Sequence, residues 1–265
     1  MFNSTSRLTT VICQIVLTIL AIIFAAPLGV MFSVSLQGRG IENYRIVLEL
    51  PYTPRFFLNS LFITVNTIAL VYLVTMPAAY AFSKLRLKGR TVLFSGVLVG
   101  LMIPGSAIIL PLFLLFRQLG LFDNYLALIL PVTAGVLPFT TLLVRNFLDD
   151  LPNELIDAAR IDGCNNFTVM RWIIVPLSRP ISIVVVIWVF LTSWNDYFTA
   201  LIYIRDDNML PLTHLPNFFI RQEMTNFPDY GLVFAALVLI SLPVIVLYIF
   251  LQHYFEDGLV QGALK

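Results

Sequence analysis

Long uninterrupted runs of apolar residues recur along this chain and restrict its fold more than any other feature. About six runs of some twenty residues are present, near positions 11–34, 61–82, 91–116, 126–144, 181–204 and 232–251. Each run is long enough to cross a hydrocarbon core of about 30 Å as a helix. The runs lack the alternation of barrel strands, and backbone groups in lipid must be paired within the segment. The sequence therefore predicts an all-α polytopic membrane protein with about six transmembrane helices.

The composition agrees with a membrane protein and excludes several kinds of partner. Of the 265 residues 59% are hydrophobic and 12% are charged, whereas soluble domains have about 25% charged residues. A net charge of +1 offers no basic surface for nucleic acid. Cys13 and Cys164 fall at different predicted depths, so we expect no disulfide between them. His214 and His253 fall on opposite sides of the membrane, so we expect no metal site.

The basic residues predict how the chain is oriented. Lys84, Arg86, Lys88 and Arg90 lie in the short loop between the second and third runs, where the positive-inside rule carries most weight. The first run is longer than the roughly 7–15 apolar residues of a signal peptide, so we expect an uncleaved anchor. These observations predict both termini in the cytoplasm and one transmembrane domain over 1–265.

Prolines interrupt several of the predicted spans. They are Pro104 and Pro111 in the third, Pro131 and Pro138 in the fourth, and Pro243 in the sixth. A proline kink frees carbonyl groups that can line a cavity or allow bending. The prolines therefore indicate either gating helices or static irregularities of packing.

The chain lacks the motifs of an energy-converting or catalytic site. It has no Gly-rich phosphate loop, no Cys-x-x-Cys, no His-Glu-x-x-His and no strand-turn-helix with a nucleophile. Charges within the apolar runs are sparse, which disfavours an ion-coupled carrier. We therefore expect a non-enzymatic chain without a cofactor. Any nucleotide that drives transport would bind another polypeptide.

A water-facing segment at 149–180 separates the fourth and fifth apolar runs and has the pattern of a helix pair. A first short helix is expected to stop at Gly163 in a left-handed conformation. Asn165 or Asn166 can cap the second helix, and Pro176 is expected to end it. The segment therefore predicts two short helices that meet at a sharp glycine turn.

The glycine turn carries small side chains and one misplaced charge. Ala158, Ala159 and Gly163 make it slim enough to enter a groove on another protein. Asp162, in the last turn of the first helix, opposes the helix dipole by about 0.3–1 kcal/mol, and such local conflicts often mark functional surfaces. Alternatively, Arg160 or Arg171 neutralises Asp162 and the turn is only a connector. The residues alone leave both interpretations open.

The residues of this turn also resemble a known motif. The run Asp157-Ala158-Ala159-Arg160-Ile161-Asp162-Gly163, followed by Pro176, Leu177 and Pro180, is similar to the Glu-Ala-Ala motif of permease subunits. These permeases belong to binding-protein-dependent ATP-binding cassette importers. Other segments resemble the carbohydrate-uptake branch and its maltose-type second permease in particular. They are 59–61, 78–83, 89–90, 111–113, 119–123, 194–197 and 254–265.

The resemblance implies that segment 149–180 contains a coupling helix that docks on an ATPase subunit. The residues that it implies for this contact are Asp157, Ala158, Ala159, Asp162, Gly163 and Pro176. Asp157 departs from the motif, which usually has glutamate there. The resemblance also implies a second related permease, two ATPase subunits that bind ATP and Mg, an extracytoplasmic sugar-binding protein, and a location in the cell membrane.

The late part of the fifth run provides candidate residues for the solute path. Trp194, Asn195, Asp196 and Tyr197 combine aromatic rings with an amide and a carboxylate. A charge at membrane depth costs about 2.5–3.5 kcal/mol, so Asp196 is expected to face a partner or an aqueous path. Sugars suit such residues, because hydroxyl groups bind the polar groups and C–H faces pack on rings. The alternative is an interfacial aromatic belt with a packed polar pair.

The segment after the fifth run, 205–230, carries apolar residues that we expect to be exposed outside the membrane. Leu210-Pro211-Leu212 and Phe218-Phe219-Ile220 form this patch, which indicates a re-entrant cap or a docking surface. The resemblance favours a surface for the binding protein, with Pro211, Phe218, Phe219 and Arg221 as candidates. The function that the sequence predicts is thus a subunit of a sugar importer. The alternatives are an importer for another solute and, from a different class, a stand-alone channel or secondary carrier.

Overall fold

The computed structural model describes residues 7–222 and 229–263, with side chains over 9–220 and 229–250. The chain divides into two compact units, Met1–Thr53 with Leu215–Leu242 and Pro54–His214 with Pro243–Lys265. The expectation of a single domain over 1–265 stays a prediction. Every regular element in the described ranges is helical, so the predicted all-α class is confirmed.

The α-helices are connected by short turns and three-residue 3-10 helices. In chain order they are α1 (Arg7–Ser35), α2 (Glu42–Glu49), α3 (Tyr52–Lys84), α4 (Arg90–Val99), α5 (Gly105–Gln118), α6 (Leu126–Asp149), α7 (Glu154–Ile161), α8 (Asn166–Val169), α9 (Val175–Leu177), α10 (Arg179–Trp194), α11 (Phe198–Tyr203), α12 (Leu215–Gln222) and α13 (Tyr230–Ala263). A π-helical turn, Met170–Ile174, joins α8 to α9.

Four of the six predicted spans are single helices. Helices α1, α3, α6 and α13 each contain at least 18 residues with an apolar stretch that can cross a membrane. The third predicted span instead corresponds to a bent helix pair, and the fifth begins with α10, which is the second helix of another bent pair. Arg90–Met102 meets Gly105–Gln118 at 96°, and Asn166–Leu177 meets Arg179–Trp194 at 79°. The chain thus has four helices that can cross a membrane, or up to six candidate spans if each bent pair is one span, in agreement with the predicted number of about six.

Proline breaks one helix and is tolerated inside others. Ile103 is extended (φ −85°, ψ 114°) because the ring of Pro104 disfavours helical geometry in the preceding residue. Pro131 and Pro138 lie within α6, which continues through both, and Pro243 lies within α13. Of these four prolines, Pro104 alone marks a helix boundary, and whether the other three act in gating or only in packing stays a prediction.

The main hydrophobic core of the Pro54–His214 unit joins the predicted coupling segment to three long helices. Ile156 and Ala159 of α7 belong to the same buried cluster as Met76 of α3, Leu148 of α6 and Val189 of α10. Burial of such side chains contributes about 1.5–3 kcal/mol each. Helix α7 is thus packed on the membrane helices rather than suspended as a free loop.

Polar contacts organise the other unit, Met1–Thr53 with Leu215–Leu242. The buried Asn43 Nδ2 donates hydrogen bonds to the carbonyl oxygens of Ser35 (2.9 Å) and Gln37 (2.8 Å). Arg39 pairs with Asp229 at 2.9 Å. These contacts tie the turn after α1 to α2 and to the residue before α13.

Candidate functional site

The segment 149–180 has the predicted helix pair with its glycine turn. Gly163 adopts φ +82°, which confirms the expected left-handed stop after α7. The side chain of Asn165 accepts a hydrogen bond from the backbone N–H of Thr168 at 2.9 Å and so caps α8. The second helix continues past Pro176 and ends at Leu177. The helix thus ends one residue later than predicted, because Pro176 occupies the first turn of α9, where no N–H is needed.

The two faces of α7 differ in exposure. Ile156 is 4% exposed and Ala159 is 6% exposed, so both face the core of their own unit. Ala158 and Asp162 are exposed, and Ile161 is 87% exposed. The expectation that Ala159 belongs to the outward surface is therefore wrong, because it lies three residues after Ile156 on the buried face. Ile161 is the apolar side chain that sequence reasoning missed on the outward face.

The charges of α7 remain available to solvent. Asp157 and Arg160 approach to 3.9 Å, and both are largely exposed, so their pair contributes no more than about 0–1 kcal/mol. Among the described residues no basic side chain pairs with Asp162. The outward surface of α7 thus combines an exposed isoleucine, a small alanine and two carboxylates.

The predicted solute-path residues lie at the break between α10 and α11. Trp194 is 2% exposed, and its ring stacks on that of Phe190 with centroids 5.3 Å apart. Tyr197 is half-buried and stacks on His214 at 4.4 Å. Asn195 is the exposed member of the four. The structure therefore keeps Trp194 inside its own unit, where its ring packs on Phe190.

Asp196 is half-buried and borders a very small cavity. One carboxylate oxygen accepts a hydrogen bond from the backbone N–H of Thr199 at 3.2 Å. The carbonyl of Asp196 accepts another from the hydroxyl of Thr213 at 3.1 Å. The cavity next to it, which Ser60 and Ser193 also line, has a volume of ≈ 10 Å³. A space of this size is at the limit for one water molecule and excludes a sugar ring.

A larger groove lies between α6 and α10. Its volume is ≈ 400 Å³, within the range of small-molecule sites, and Val132, Phe139, Trp188 and Thr192 line it. The rings of Phe139 and Trp188 lie 4.8 Å apart. Trp188 is 44% exposed, and Thr192 and Asn195 follow it on the same helical face at i+4 and i+7. That spacing is visible in the sequence and could have identified this face.

The start of segment 205–230 folds back on the helices of its own unit instead of forming an exposed patch. Asn59 Nδ2 donates to the carbonyl oxygens of Asn208 (2.8 Å) and Leu210 (2.9 Å). Asp123 Oδ1 accepts hydrogen bonds from the backbone N–H groups of Arg205 (2.8 Å) and Asp206 (3.0 Å). Asn59 and Asp123 lie in 59–61 and 119–123, two of the stretches that resemble carbohydrate permeases. Their side chains hold the start of segment 205–230.

Most of the apolar side chains predicted to be exposed are therefore covered. Pro211 is buried and Phe219 is 5% exposed, while Phe218 is half-buried with its ring 4.9 Å from that of Tyr52. The predicted apolar patch is wrong for these residues, because they pack within their own units. Ile220 is 47% exposed. The side chain of Arg221 lies outside the described residues.

Comparison with known proteins identifies the family. Residues 72–261 match the model of the binding-protein-dependent transport system inner membrane component. Protein LplC of Bacillus subtilis (strain 168) is 34% identical over 236 residues, which cover 85% of this chain and 79% of that protein. The arabinooligosaccharides transport system permease protein AraQ of Halalkalibacterium halodurans is 35% identical over 211 residues, covering 79% and 74%.

A solved structure has the same fold over nearly the whole chain. It is the crystal structure of a bacterial ABC transporter involved in the import of the acidic polysaccharide alginate. The match has a TM-score of 0.81 and 25% identity, and it covers 96% of this chain and 99% of the other. The family match, the relatives and the shared fold are all consistent with a chain that contains several membrane-spanning helices. The chain belongs to the inner membrane components of binding-protein-dependent transport systems, which are multi-pass permease subunits of ABC transporters and not enzymes.

Proposed function

We propose that this chain is a transmembrane subunit of an ATP-driven sugar importer. The observation that carries the proposal is the family match over residues 72–261, which contains the whole of segment 149–180. Relatives support carbohydrate as the solute, since one is named for arabinooligosaccharides and the related transporter of known structure imports alginate. The chain would form half of the translocation path.

The proposed importer contains partners that supply energy and solute. A second related permease would complete the path, two ATPase subunits would bind ATP and Mg, and an extracytoplasmic binding protein would deliver the sugar. The lack of a phosphate loop in this chain supports a separate ATPase. Both termini lie in the cytoplasm in this proposal, since the short connection from Lys84 at the end of α3 to Arg90 at the start of α4 is basic.

We propose that α7 and the Gly163 turn form the surface that docks on the ATPase. Ile161 offers an apolar anchor, Ala158 permits close approach, and Asp157 and Asp162 offer carboxylates to basic side chains. Ala159 contributes from the opposite face by packing α7 on its own subunit. Pro176 lies within the second helix and supports the segment rather than the contact surface.

A charge reversal tests this docking surface. Asp162→Lys should weaken capture of the ATPase subunits about tenfold or more, because buried charge pairs at interfaces act as hot spots. Asp207→Lys makes the same charge change at an exposed site in segment 205–230, which this proposal places outside the membrane, and serves as the matched control. Both variants would be co-expressed with the second permease and the ATPase subunits and captured through this chain. Equal capture of the ATPase by the two variants would contradict the assignment.

We propose that the sugar contacts the exposed face of α10 formed by Trp188, Thr192 and Asn195. The indole ring suits the C–H face of a sugar, and the hydroxyl and amide groups suit its hydroxyl groups. Phe139 completes the aromatic wall at 4.8 Å from Trp188. Trp194, Asp196 and Tyr197 would hold this face in place from behind.

Two tryptophan substitutions distinguish contact from packing. Trp188→Ala should leave the yield of folded complex unchanged but raise the KM for sugar uptake about tenfold, since ring–sugar stacking would be lost. Trp188→Phe should restore most of the affinity. Trp194→Ala removes a fully buried ring and should lower the folded yield, with a cost of about 3–5 kcal/mol. A normal KM in Trp188→Ala would refute the sugar-contact role.

The binding protein would dock on segment 205–230, where Ile220 is an exposed apolar side chain. Pro211, Phe218 and Phe219 would shape this segment from within. Arg221 stays a candidate for contact with the binding protein on the basis of the sequence alone. Ile220→Glu should lower stimulation of ATP hydrolysis by the loaded binding protein while hydrolysis without it stays unchanged. Unaltered stimulation would remove Ile220 from the docking surface.

A further inference from the structure

A set of polar side chains joins the ends of α3 and α6 at the start of segment 149–180. Lys84 Nζ donates hydrogen bonds to the carbonyl oxygen of Leu151 (2.7 Å) and to Oδ1 of Asn153 (2.9 Å). Ser83 Oγ donates to Oδ1 of Asp149 at 2.6 Å. We call these five residues the Lys84 network. They link the last turn of α3 to the chain on either side of the loop that leads into α7.

Helix α4 is attached to the same network by two arginines. Arg145 Nη2 lies 3.3 Å from Asp149 Oδ2, and its guanidinium lies 4.1 Å above the ring of Phe94 in α4. Arg90 Nη1 donates to the carbonyl oxygen of Ser83 at 3.0 Å. The side chain of Arg145 is 23% exposed, so its contacts with a carboxylate and a ring are partly shielded from water.

The loop between α6 and α7 needs such a support. Helix α6 ends at Asp149 and α7 begins at Glu154, so only residues 150–153 connect them. A loop of this kind can absorb a displacement of α7 by changing its backbone angles. Lys84 holds it at Leu151 and Asn153 through hydrogen bonds from an ammonium group, which are about twice as strong as neutral ones.

We propose that Lys84 is a positioning residue that makes α3 and α4 move with α7 when the ATPase displaces the coupling segment. The inference rests on the proposed function, since it requires α7 to dock on an ATPase. With the network intact, a displacement of α7 reaches α3 through Lys84 and α4 through Ser83 and Arg145. Without the ammonium group, the loop 150–153 absorbs part of the displacement, so ATP is hydrolysed with less movement of the path helices.

The basic loop after α3 provides a matched control. Lys84, Arg86 and Lys88 all contribute positive charge for orientation, so topology alone does not distinguish them. Arg86 and Lys88 are exposed, and in the described part of the chain their side chains make no hydrogen bond or ion pair. Lys88→Met therefore removes the same charge from the same loop without touching the network.

The experiment uses the complete importer in proteoliposomes, with sugar uptake and ATP hydrolysis measured in the same preparation. We expect Lys84→Met to keep the ATPase subunits bound but to lower the sugar transported per ATP about fivefold or more, the range of typical coupling between sites. Lys88→Met should stay within about twofold of the unaltered importer, as for other solvated surface charges. Lys84→Arg keeps a charged donor and should restore most of the ratio.

The outcomes separate this proposal from the one on which it rests. An unchanged ratio in Lys84→Met overturns the role of Lys84, and so does loss of ATPase capture, because Lys84 would then hold the docking surface instead. If Lys84→Met does not fold, Asn153→Ala removes the side-chain acceptor of Lys84 instead. A lower ratio of sugar transported per ATP in this variant supports the role of Lys84, and an unchanged ratio overturns it. If the unaltered chain captures no ATPase at all, the proposed function fails first.

Discussion

Replacement of Ile156 by alanine should release α7 from its own subunit without unfolding the rest. Ile156 is 4% exposed in the cluster that includes α3, α6 and α10. At about 0.8 kcal/mol per methylene, the lost burial amounts to about 2.4 kcal/mol, and the cavity raises the cost toward 2–5 kcal/mol. The higher helix propensity of alanine offsets a few tenths of this. Helix α7 has eight residues, and helices shorter than about 12 residues are marginally stable alone. The lost free energy therefore weakens the packing of α7 on its own unit.

Hydrogen–deuterium exchange of the full chain in lipid nanodiscs measures this release. Peptides covering α7 should exchange about 50-fold faster in Ile156→Ala, since every 1.4 kcal/mol corresponds to a factor of ten. Peptides from α10 should be unaffected. The control is Leu155→Ala, the neighbouring side chain, which is 44% exposed and loses little burial. Equal exchange of α7 in the two variants would refute the reasoning that Ile156 attaches this helix.

Three further substitutions and one control test the local geometry by thermal unfolding or exchange. Gly163→Ala should destabilise the turn by about 1–2 kcal/mol from its left-handed φ alone, because open space surrounds the added methyl group; a neutral effect would contradict the strain. Asn165→Ala should speed exchange at the start of α8 by the loss of about 1 kcal/mol of capping, and unchanged exchange would exclude the cap. Gly100→Ala should lower Tm because its Cβ would lie 2.8 Å from Cγ of Pro138. Its control is Gly96→Ala, which meets open space and should raise Tm slightly. A change of Tm with the same sign in both variants would contradict the close approach at Gly100.

Several features of the candidate site could be predicted because they depend on neighbouring residues. The left-handed stop at Gly163 follows from the absence of a Cβ, and the cap at Asn165 follows from the reach of a short amide side chain. The end of the second helix could not be placed in the same way. A proline is compatible both with the first turn of a helix and with a position after its end, so the sequence does not distinguish the two. In the structure Pro176 lies in α9, just before the bend between α9 and α10.

Exposure of individual side chains could not be predicted, because it depends on partners far along the chain. The sequence pattern groups Trp194 with Asn195, yet Phe57 and Phe190 enclose the indole ring while the amide remains exposed. Likewise the sequence predicts that Pro211 belongs to an exposed apolar loop, yet this residue is buried. The adjacent carbonyl of Leu210 accepts a hydrogen bond from Asn59, which lies far away in the sequence.

The sequence by itself determined that this chain crosses a membrane repeatedly as helices, since the length and hydropathy of a run are properties of consecutive residues. It also determined the glycine turn of segment 149–180. Only the tertiary structure decided which face of α7 is outward, since Ile156 and Ala159 are covered by helices that begin far away in the chain. It alone brought Lys84 within hydrogen-bond distance of Leu151 and Asn153. Such contacts depend on how the helices pack, and no local pattern encodes that packing.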